Sequence, residues 1–335
     1  MSTSPVLTVA IPTYNGARHL PEALRSILTQ EGVPFDLVIS DDRSDDDTLA
    51  IAQSVAGDRA RIVVNSDRLG LAGNWNRCVA LSRTPWVAVF HQDDVMRPGH
   101  LEAHLAVIAS NPDLGMVASA ADVIDAEGRE VPPTIVGRGK VGSIDRVFAP
   151  GAFVRELAVS NPVRCSGVTL RAQAHAAIGG FDPSYRYVVD WQCWLRIARA
   201  WSVAWLAQPT VAVRWHPASE THRFKTGTTD LDEAARLLTD LFATDGPNLP
   251  EANQLRHVAN RGLARAYLNR AHDALKGGDP ALARRCLRRS LVLSPRILGT
   301  IARDPRLAAS LAASMIAPRT AARWLSRENA GPDLI

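Results

Sequence analysis

Apolar and polar positions fall in blocks along the first 120 residues. Val6-Leu7-Thr8-Val9-Ala10-Ile11 is a short apolar run closed by Pro12, which predicts a buried strand. Over 17–30, Leu20, Leu24, Ile27 and Leu28 fall on one helical face. A second apolar run, Phe35 to Ser40, ends in Asp41-Asp42, and Ser44 is placed to cap a helix opened by Asp45 to Asp47. Arg61 to Val64 predicts a third strand, 73–82 a helix and 86–90 a fourth strand. Beyond Pro98 a helix is expected to about Ser110, then a strand at Met116 to Ser119. Residues 120–160, with Pro132-Pro133 and several glycines, predict loops and a short hairpin. Val168 to Leu170 reads as a strand, Asp190 opens an amphipathic helix to about Ala200, and 203–215 gives one or two strands broken by Pro209. The polar stretch 216–229 predicts a mobile loop.

From about residue 230 the pattern is helical. Residues 254–276 and 280–293 predict an antiparallel pair, with Gly277-Gly278 ending one helix and Pro280 opening the next. This resembles one tetratricopeptide-type hairpin, and one hairpin cannot build a solenoid. Short helices are expected to continue to about Ser326. The organisation expected is therefore an α/β domain over 1–229 and a helical region over 230–335.

Strands alternating with helices at this spacing imply βαβ units and a mostly parallel sheet. Ligands of open α/β sheets bind beyond the carboxyl ends of the strands. Three polar clusters fall there: Pro12-Thr13-Tyr14-Asn15, Asp41-Asp42 and Gln92-Asp93-Asp94. The last follows the apolar run Trp86 to Phe90, where two adjacent carboxylates are costly unless a positive partner joins them.

Composition narrows the class. The 335 residues hold four cysteines, Cys78, Cys165, Cys193 and Cys286, with no CxxC spacing, which speaks against a zinc site or a disulfide framework. No basic–apolar leader pattern opens the chain, and no stretch reaches the roughly 18 apolar residues that span a bilayer. A cytoplasmic protein, soluble or peripheral at the inner membrane face, is expected. Residues 251–335 hold 15 Arg or Lys against 6 Asp or Glu, a net of +9, whereas the first 250 residues net −5. The basic region suits peripheral contact with an anionic membrane or substrate, or is an arginine-rich solvated helix surface. No nucleic-acid partner is expected.

"VAIPTYNGARHLPEALRSILTQ", "LVISDDRSDDDT", "GLAGNWNRC" and "VAVFHQDDVMRPG", in this order, resemble a family 2 glycosyltransferase of the GT-A fold over roughly residues 6–220. The resemblance implies a Rossmann-like sheet with flanking helices and a nucleotide-diphosphate sugar lying across the strand ends. It assigns Pro12, Thr13 and Tyr14 to the nucleotide base, with Tyr14 placed to stack on it. Asp42 would accept the imide N–H of uracil or thymine, so a UDP- or dTDP-sugar is favoured. Asn74 and Asn76 would face nucleotide or sugar. Gln92-Asp93-Asp94 stands where the family carries its DXD motif, with Gln in the first place; Asp94 is then the metal ligand and Asp93, with Gln92, the donor contact. The implied cofactor is Mn²⁺ or Mg²⁺, whose hard character suits oxygen ligands and which would neutralise a diphosphate leaving group. The family's base is a carboxylate opening a helix. Here that is Asp190, after Val189 rather than the usual Glu. "RWHPASET" resembles the loop after the last strand, with His216 a metal or diphosphate contact and Arg214 or Arg223 a phosphate contact. Trp191 and Trp194 either stack on sugar rings or pack in the core.

The implied activity is metal-dependent, inverting sugar transfer to a hydroxyl of a glycan, glycolipid or polysaccharide precursor, with a glycan or lipid-linked acceptor as partner. A non-catalytic sugar-nucleotide or protein-binding module is the alternative. A dinucleotide-dependent oxidoreductase is excluded, because the turn after the first strand reads PTYNG and lacks GxGxxG.

Overall fold

In the computed structural model, residues 4–131, 141–216, 219, 224, 227–296 and 299 are described. The chain divides into two compact units, 1–219 and 220–335. The first is built on a nine-stranded sheet: β1 (Leu7–Thr13), β2 (Asp36–Asp41), β3 (Arg61–Val64), β4 (Trp86–Val89), β5 (Val95–Met96), β6 (Leu114–Ile124), β7 (Arg146–Phe148), β8 (Val168–Arg171) and β9 (Ser202–Arg214). The strand order is β3-β2-β1-β4-β8-β6-β9-β5, with β7 added beside β9.

Strands β3, β2, β1 and β4 are parallel, as the βαβ pattern predicts. The far half is mixed. β8 runs antiparallel to both β4 and β6, β6 and β9 are parallel, and β5 and β7 are antiparallel to β9. β6 and β9 are each longer than their apolar runs suggest. β9 stays one strand through Pro209 because the ladder jumps there: Ser119 opposes Leu206 and Ala120 opposes Pro209. Such a bulge removes the need for a proline N–H in the ladder. The hairpin expected in 120–160 is formed by Asp125–Arg129, closed by the Ile124–Glu130 bridge. Pro132 and Pro133 lie outside the described residues.

Helices α1 (Leu20–Leu28), α2 (Thr48–Ala56), α3 (Gly70–Leu81), α4 (His100–Ser110), α5 (Val154–Leu157), α6 (Ala172–Ala177) and α7 (Val189–Ala200) flank the sheet. On one face Leu20, Leu24 and Ile27 of α1, Ala52 of α2 and Leu101 of α4 join Leu7, Val9, Ile11, Leu37, Ile39 and Phe90 in one core. Each fully buried Leu or Ile contributes about 1.5–3 kcal/mol. The two tryptophans of α7 belong to the interior: Trp191 donates to Leu157 O at 3.0 Å, and Trp194 is 1% exposed.

A polar thread runs through this core. His100 Nδ1 and Thr210 Oγ1 stand 2.7 Å apart, Thr210 Oγ1 meets Ser119 Oγ at 2.6 Å, and His104 Nδ1 meets Thr169 Oγ1 at 2.8 Å. The two imidazole rings are 4.1 Å apart. Burial lowers the pKa of His100 from its ordinary 6.5 to about 3, and burial beside His100 lowers that of His104 well below it. The unfolded chain therefore takes up protons that the fold refuses. The contribution of these histidines is complete above pH 6.5 and is lost as pH drops toward 3, by about 2 kcal/mol at pH 5 for each. His100→Gln is expected to flatten the change in urea midpoint between pH 7 and pH 5; parallel pH dependences in variant and parent would disprove this assignment.

The second unit contains helices Thr229–Thr244, Ala252–Lys276 and Pro280–Leu293. Asp279 caps the last through Leu282 N at 2.9 Å, with Pro280 in its first turn. The pair is stitched by Ser290 Oγ donating to Ala264 O at 2.7 Å. Buried Asp230 takes two hydrogen bonds from the Arg270 guanidinium, and Tyr267 donates to Asp232 at 2.6 Å. Leu282, Ala283, Cys286 and Leu287 face inward, so Arg284, Arg285, Arg288 and Arg289 share the exposed face. The short helices expected to about 326, Arg223 and most of the segment 216–229 lie outside the described residues. Among the described residues no helix is long and apolar enough to cross a membrane.

Candidate active site

Because β2, β1 and β4 are parallel neighbours, the loops leaving them emerge side by side. This brings Pro12-Thr13-Tyr14, Asp41-Asp42 and Gln92-Asp93-Asp94 to one edge of the sheet. The first two loops are laced together. Asn15, at φ 46°, donates its N–H to Ser44 Oγ (2.9 Å) and accepts from Asp45 N (3.0 Å). Gly16 N donates to Thr48 Oγ1 at 2.8 Å. Ser44 does not cap α2. Its hydroxyl donates to Asp41 Oδ2 at 2.6 Å, and α2 begins at Thr48, whose N–H Asp46 accepts.

Asp41 is fully buried and holds the loop, accepting from Thr13 Oγ1 (2.8 Å) and from both the N–H and hydroxyl of Ser44. Asp42 is 2% exposed and accepts from Leu69 N (2.7 Å), Gly70 N (2.8 Å) and Asn65 Nδ2 (3.0 Å). It therefore caps α3, which starts at Gly70 rather than at 73. A carboxylate has about four acceptor positions, so one is left for a ligand N–H. Asn74 is buried among Ser40, Asn65 and Thr13, and Asn76 bonds both N–H and C=O of Phe181. These contacts make both amides braces between strand ends and loops.

Tyr14 lies beneath the Arg68 guanidinium, 3.7 Å from the ring centroid. Its backbone is held by Gln92, whose amide accepts from Tyr14 N and donates to Tyr14 O, both at 3.0 Å. Gln92 is thus a clamp between the first and third loops. It also explains Gly16, where a Cβ would stand 2.1 Å from Gln92 Oε1.

The acidic pair is set by β5, where Val95 opposes Ala212 of β9. That register carries Asp93 and Asp94 back against the end of β9. Arg214 N donates to Asp94 Oδ1 at 2.8 Å, Ser166 Oγ donates to Asp94 Oδ2 at 2.5 Å, and His216 Nε2 lies 3.0 Å from Asp93 Oδ2. The Arg214 side chain, 1% exposed, is committed elsewhere: to Glu22 at 2.6 Å and to the carbonyls of Asp93, Asp125 and Ala126. It braces the loop and is not free for a phosphate.

His91 Nδ1 is 3.8 Å from Asp94 Oδ2, and one ligand atom each of His91, Asp93 and Asp94 lies within 4.8 Å of the others. Burial tends to raise the Asp93 pKa, but the His216 hydrogen bond and the charges of His91 and His216 outweigh it and hold it low. Asp94, by burial and by the charge of Asp93, is pushed up to about 6. His19, whose ring packs 4.9 Å from that of His216, is lowered to about 4 by burial and then by the positive charge of Arg214. A dication among these groups would offset the charge that burial disfavours on Asp94, and carboxylate oxygens are donors that suit Mg²⁺ or Mn²⁺.

Asp190 stands in the first turn of α7. Asn161 Nδ2 donates to its Oδ2 at 3.0 Å, and Asn161 is itself fixed by Val163 N donating to its Oδ1 at 3.1 Å. Burial pushes the Cys165 thiol well up, and the charges of Asp190 and Asp94 add to the effect. One sulfur thus feels both carboxylates. Glu22, Ser166, Asn161 and the ligand position of His91 are the site features that the sequence reading missed. Only His91, one residue outside the acidic motif, carried a local signal.

A family profile described as Glycosyl transferase family 2 matches residues 8–158. An uncharacterised protein of Mycobacterium tuberculosis is 30% identical over 253 residues, covering 71% of this chain and 76% of that protein. EpsE of Bacillus subtilis, named as a glycosyltransferase, is 27% identical over 204 residues, covering 58% of this chain and 68% of its own. Two solved structures share the fold. An S. aureus TarS fragment with UDP-GlcNAc aligns with TM-score 0.62 and 14% identity over 96% of this chain and 91% of that one. The mannosyltransferase PcManGT of Pyrobaculum calidifontis with GDP-Man and Mn²⁺ aligns with TM-score 0.56 and 18% identity over 96% and 85%.

Proposed function

The chain belongs to the family 2 glycosyltransferases, and from that premise we propose a metal-dependent, inverting enzyme that uses a UDP- or dTDP-sugar. The observation that carries this reading is the cluster His91, Asp93 and Asp94 at the carboxyl end of β4, beside the loops of Tyr14 and Asp42. The UDP-GlcNAc and GDP-Man bound by the two structural neighbours support a nucleotide-diphosphate sugar as donor, and the first of them a uracil base.

The base would lie near Tyr14, Thr13 and Pro12, with Asp42 offering its remaining acceptor position. Asp94 is the metal ligand in this reading, with His216 held against its neighbour Asp93, and Gln92 and Asp93 border the donor sugar. Mn²⁺ or Mg²⁺, when bound, would neutralise the diphosphate leaving group. Asp190 takes the proton of the acceptor hydroxyl, and attack opposite the diphosphate inverts the anomeric centre. Asn161 holds the Asp190 carboxylate in orientation, which matters because a carboxylate base works only within hydrogen-bond reach. The acceptor is a glycan or lipid-linked precursor, met at an anionic membrane by the exposed face of Arg284, Arg285, Arg288 and Arg289.

The test is a thermal-shift panel of UDP-, dTDP- and GDP-sugars with MnCl₂ or EDTA, followed by donor hydrolysis and sedimentation with phosphatidylglycerol vesicles. A ligand at about 100 times its dissociation constant stabilises by about 2.7 kcal/mol. A Mn²⁺-dependent shift with turnover is expected. Binding without turnover favours the non-catalytic module, and no sedimentation removes the membrane contact.

A further inference from the structure

We propose that His91 is a nitrogen ligand of the divalent cation and sets the site's choice of metal, favouring Mn²⁺ over Mg²⁺. The inference rests on the reading of the acidic pair as a metal site and adds a donor to it.

The geometry points to His91 in three ways. Its Nδ1 is 3.8 Å from Asp94 Oδ2. Two ligands of one octahedral ion, each about 2.1 Å from it, stand about 3.0 Å apart in cis and about 4.2 Å apart in trans, so a shift of well under 1 Å brings this pair onto one ion. The separation is also too long for a direct hydrogen bond. The ring is held in that orientation: it stacks on Trp75 at 5.1 Å and 29°, and Trp75 is braced edge-on by Phe181. Finally, Ser166 serves both partners. Its Oγ accepts from His91 N at 3.1 Å and donates to Asp94 Oδ2 at 2.5 Å. One hydroxyl therefore fixes the backbone of the imidazole and the oxygen that faces it.

His216 is the competing imidazole, and it is differently placed. Its Nε2 is already 3.0 Å from Asp93 Oδ2, within hydrogen-bond reach, and its ring packs on His19. It orients Asp93, whereas among the described residues no hydrogen bond occupies the side chain of His91, whose Nε2 is buried without a partner.

The consequence is selectivity. Mg²⁺ prefers an all-oxygen shell and gives up water reluctantly, whereas imidazole nitrogen suits the transition metals. A site that sets one nitrogen beside the Asp94 carboxylate is therefore expected to prefer Mn²⁺, and replacing His91 by a carboxylate should restore Mg²⁺.

The experiment loads the full chain with MnCl₂, alone and with UDP, and records electron spin-echo modulation. Directly bound imidazole nitrogen should appear in the parent and in His216→Ala and vanish in His91→Ala. Calorimetric titration should show the Mn²⁺/Mg²⁺ affinity ratio falling on the order of tenfold or more in His91→Asp. Nitrogen coupling that survives in His91→Ala and disappears in His216→Ala would overturn the assignment while leaving the metal site intact. Mn²⁺ bound with no nitrogen coupling would do the same. No Mn²⁺ binding in either condition would remove the metal site itself.

Discussion

Asp94→Asn is expected to lower sugar transfer by ~10³ while making the metal-free protein more stable. The two effects come from one fact. Asp94 is 2% exposed and stands beside a second carboxylate, and its pKa is pushed up to about 6. An acid whose folded pKa lies above its unfolded value is held in the fold most easily as the neutral form. At pH 7 the ionised group therefore costs stability, on the order of 1–3 kcal/mol for a shift of this size. Asparagine is neutral at the same volume, can still accept from Arg214 N and can donate to Ser166 Oγ. Its melting temperature in EDTA should rise. With MnCl₂ the order reverses, because the parent gains the binding energy of the ion and the variant does not. Loss of the ligand should lower kcat/KM by ~10³, about 4 kcal/mol of transition-state stabilisation. The measurement is melting temperature in EDTA and in MnCl₂ together with donor turnover. A variant that is destabilised in EDTA yet keeps a Mn²⁺-dependent shift would show that Asp94 is a structural acceptor for Ser166 and Arg214 alone.

Those two donors mark where the sequence stops being legible. The apolar runs that become β1, β2 and β4 are buried on both faces, so they appear as unbroken apolar blocks, and their polar ends announce the edge of the sheet. Asp190 likewise announces itself as the first acidic residue of an amphipathic helix. Local pattern carries all of this. What it does not carry is pairing across the chain. Glu22 and Arg214 are separated by 192 positions, and nothing near either shows that the guanidinium will be buried. Arg214 therefore reads as a phosphate contact until the β5–β9 register places it behind the acidic pair. Asp42 reads as a ligand residue, although its three donors show that capping α3 is part of its work. Gln92 reads as a weakened motif position, and the structure makes it the clamp that joins Tyr14 to the third loop. The long β6–β9 ladder was hidden for a different reason: Pro209 breaks the strand pattern, and only a partner strand that can bulge lets the ladder continue. The choice between parallel and antiparallel for β8 is not local either, since Val-Thr-Leu-Arg fits both.

Asp190→Asn is expected to lower kcat by ~10²–10⁴, the usual contribution of a positioned proton acceptor, and to leave donor binding unchanged. The separation of the two effects follows from the hydrogen bonds. Asp190 makes none to Asp93, Asp94 or His216; its oxygens accept from Asn161 Nδ2 and from its own helix at Trp191 N, at 3.0 and 2.7 Å. The two contacts use different oxygens, so the amide replacement keeps one: its Oδ1 can still accept from Trp191 N and hold the start of α7, whereas its Nδ2 faces Asn161 Nδ2 and that hydrogen bond is lost. What it cannot do is accept the acceptor's proton. Turnover should therefore fall while the thermal shift with UDP and MnCl₂ stays at the parent value. Asn161→Ala supplies the companion measurement. It leaves the base in place but removes the donor that aims it, so a smaller loss in kcat, about tenfold, is expected with the same donor affinity. If Asp190→Asn lost donor affinity along with turnover, the carboxylate would belong to the sugar-nucleotide subsite. Near-parental transfer in that variant would place the proton acceptor elsewhere, because no step in the proposed displacement proceeds without one.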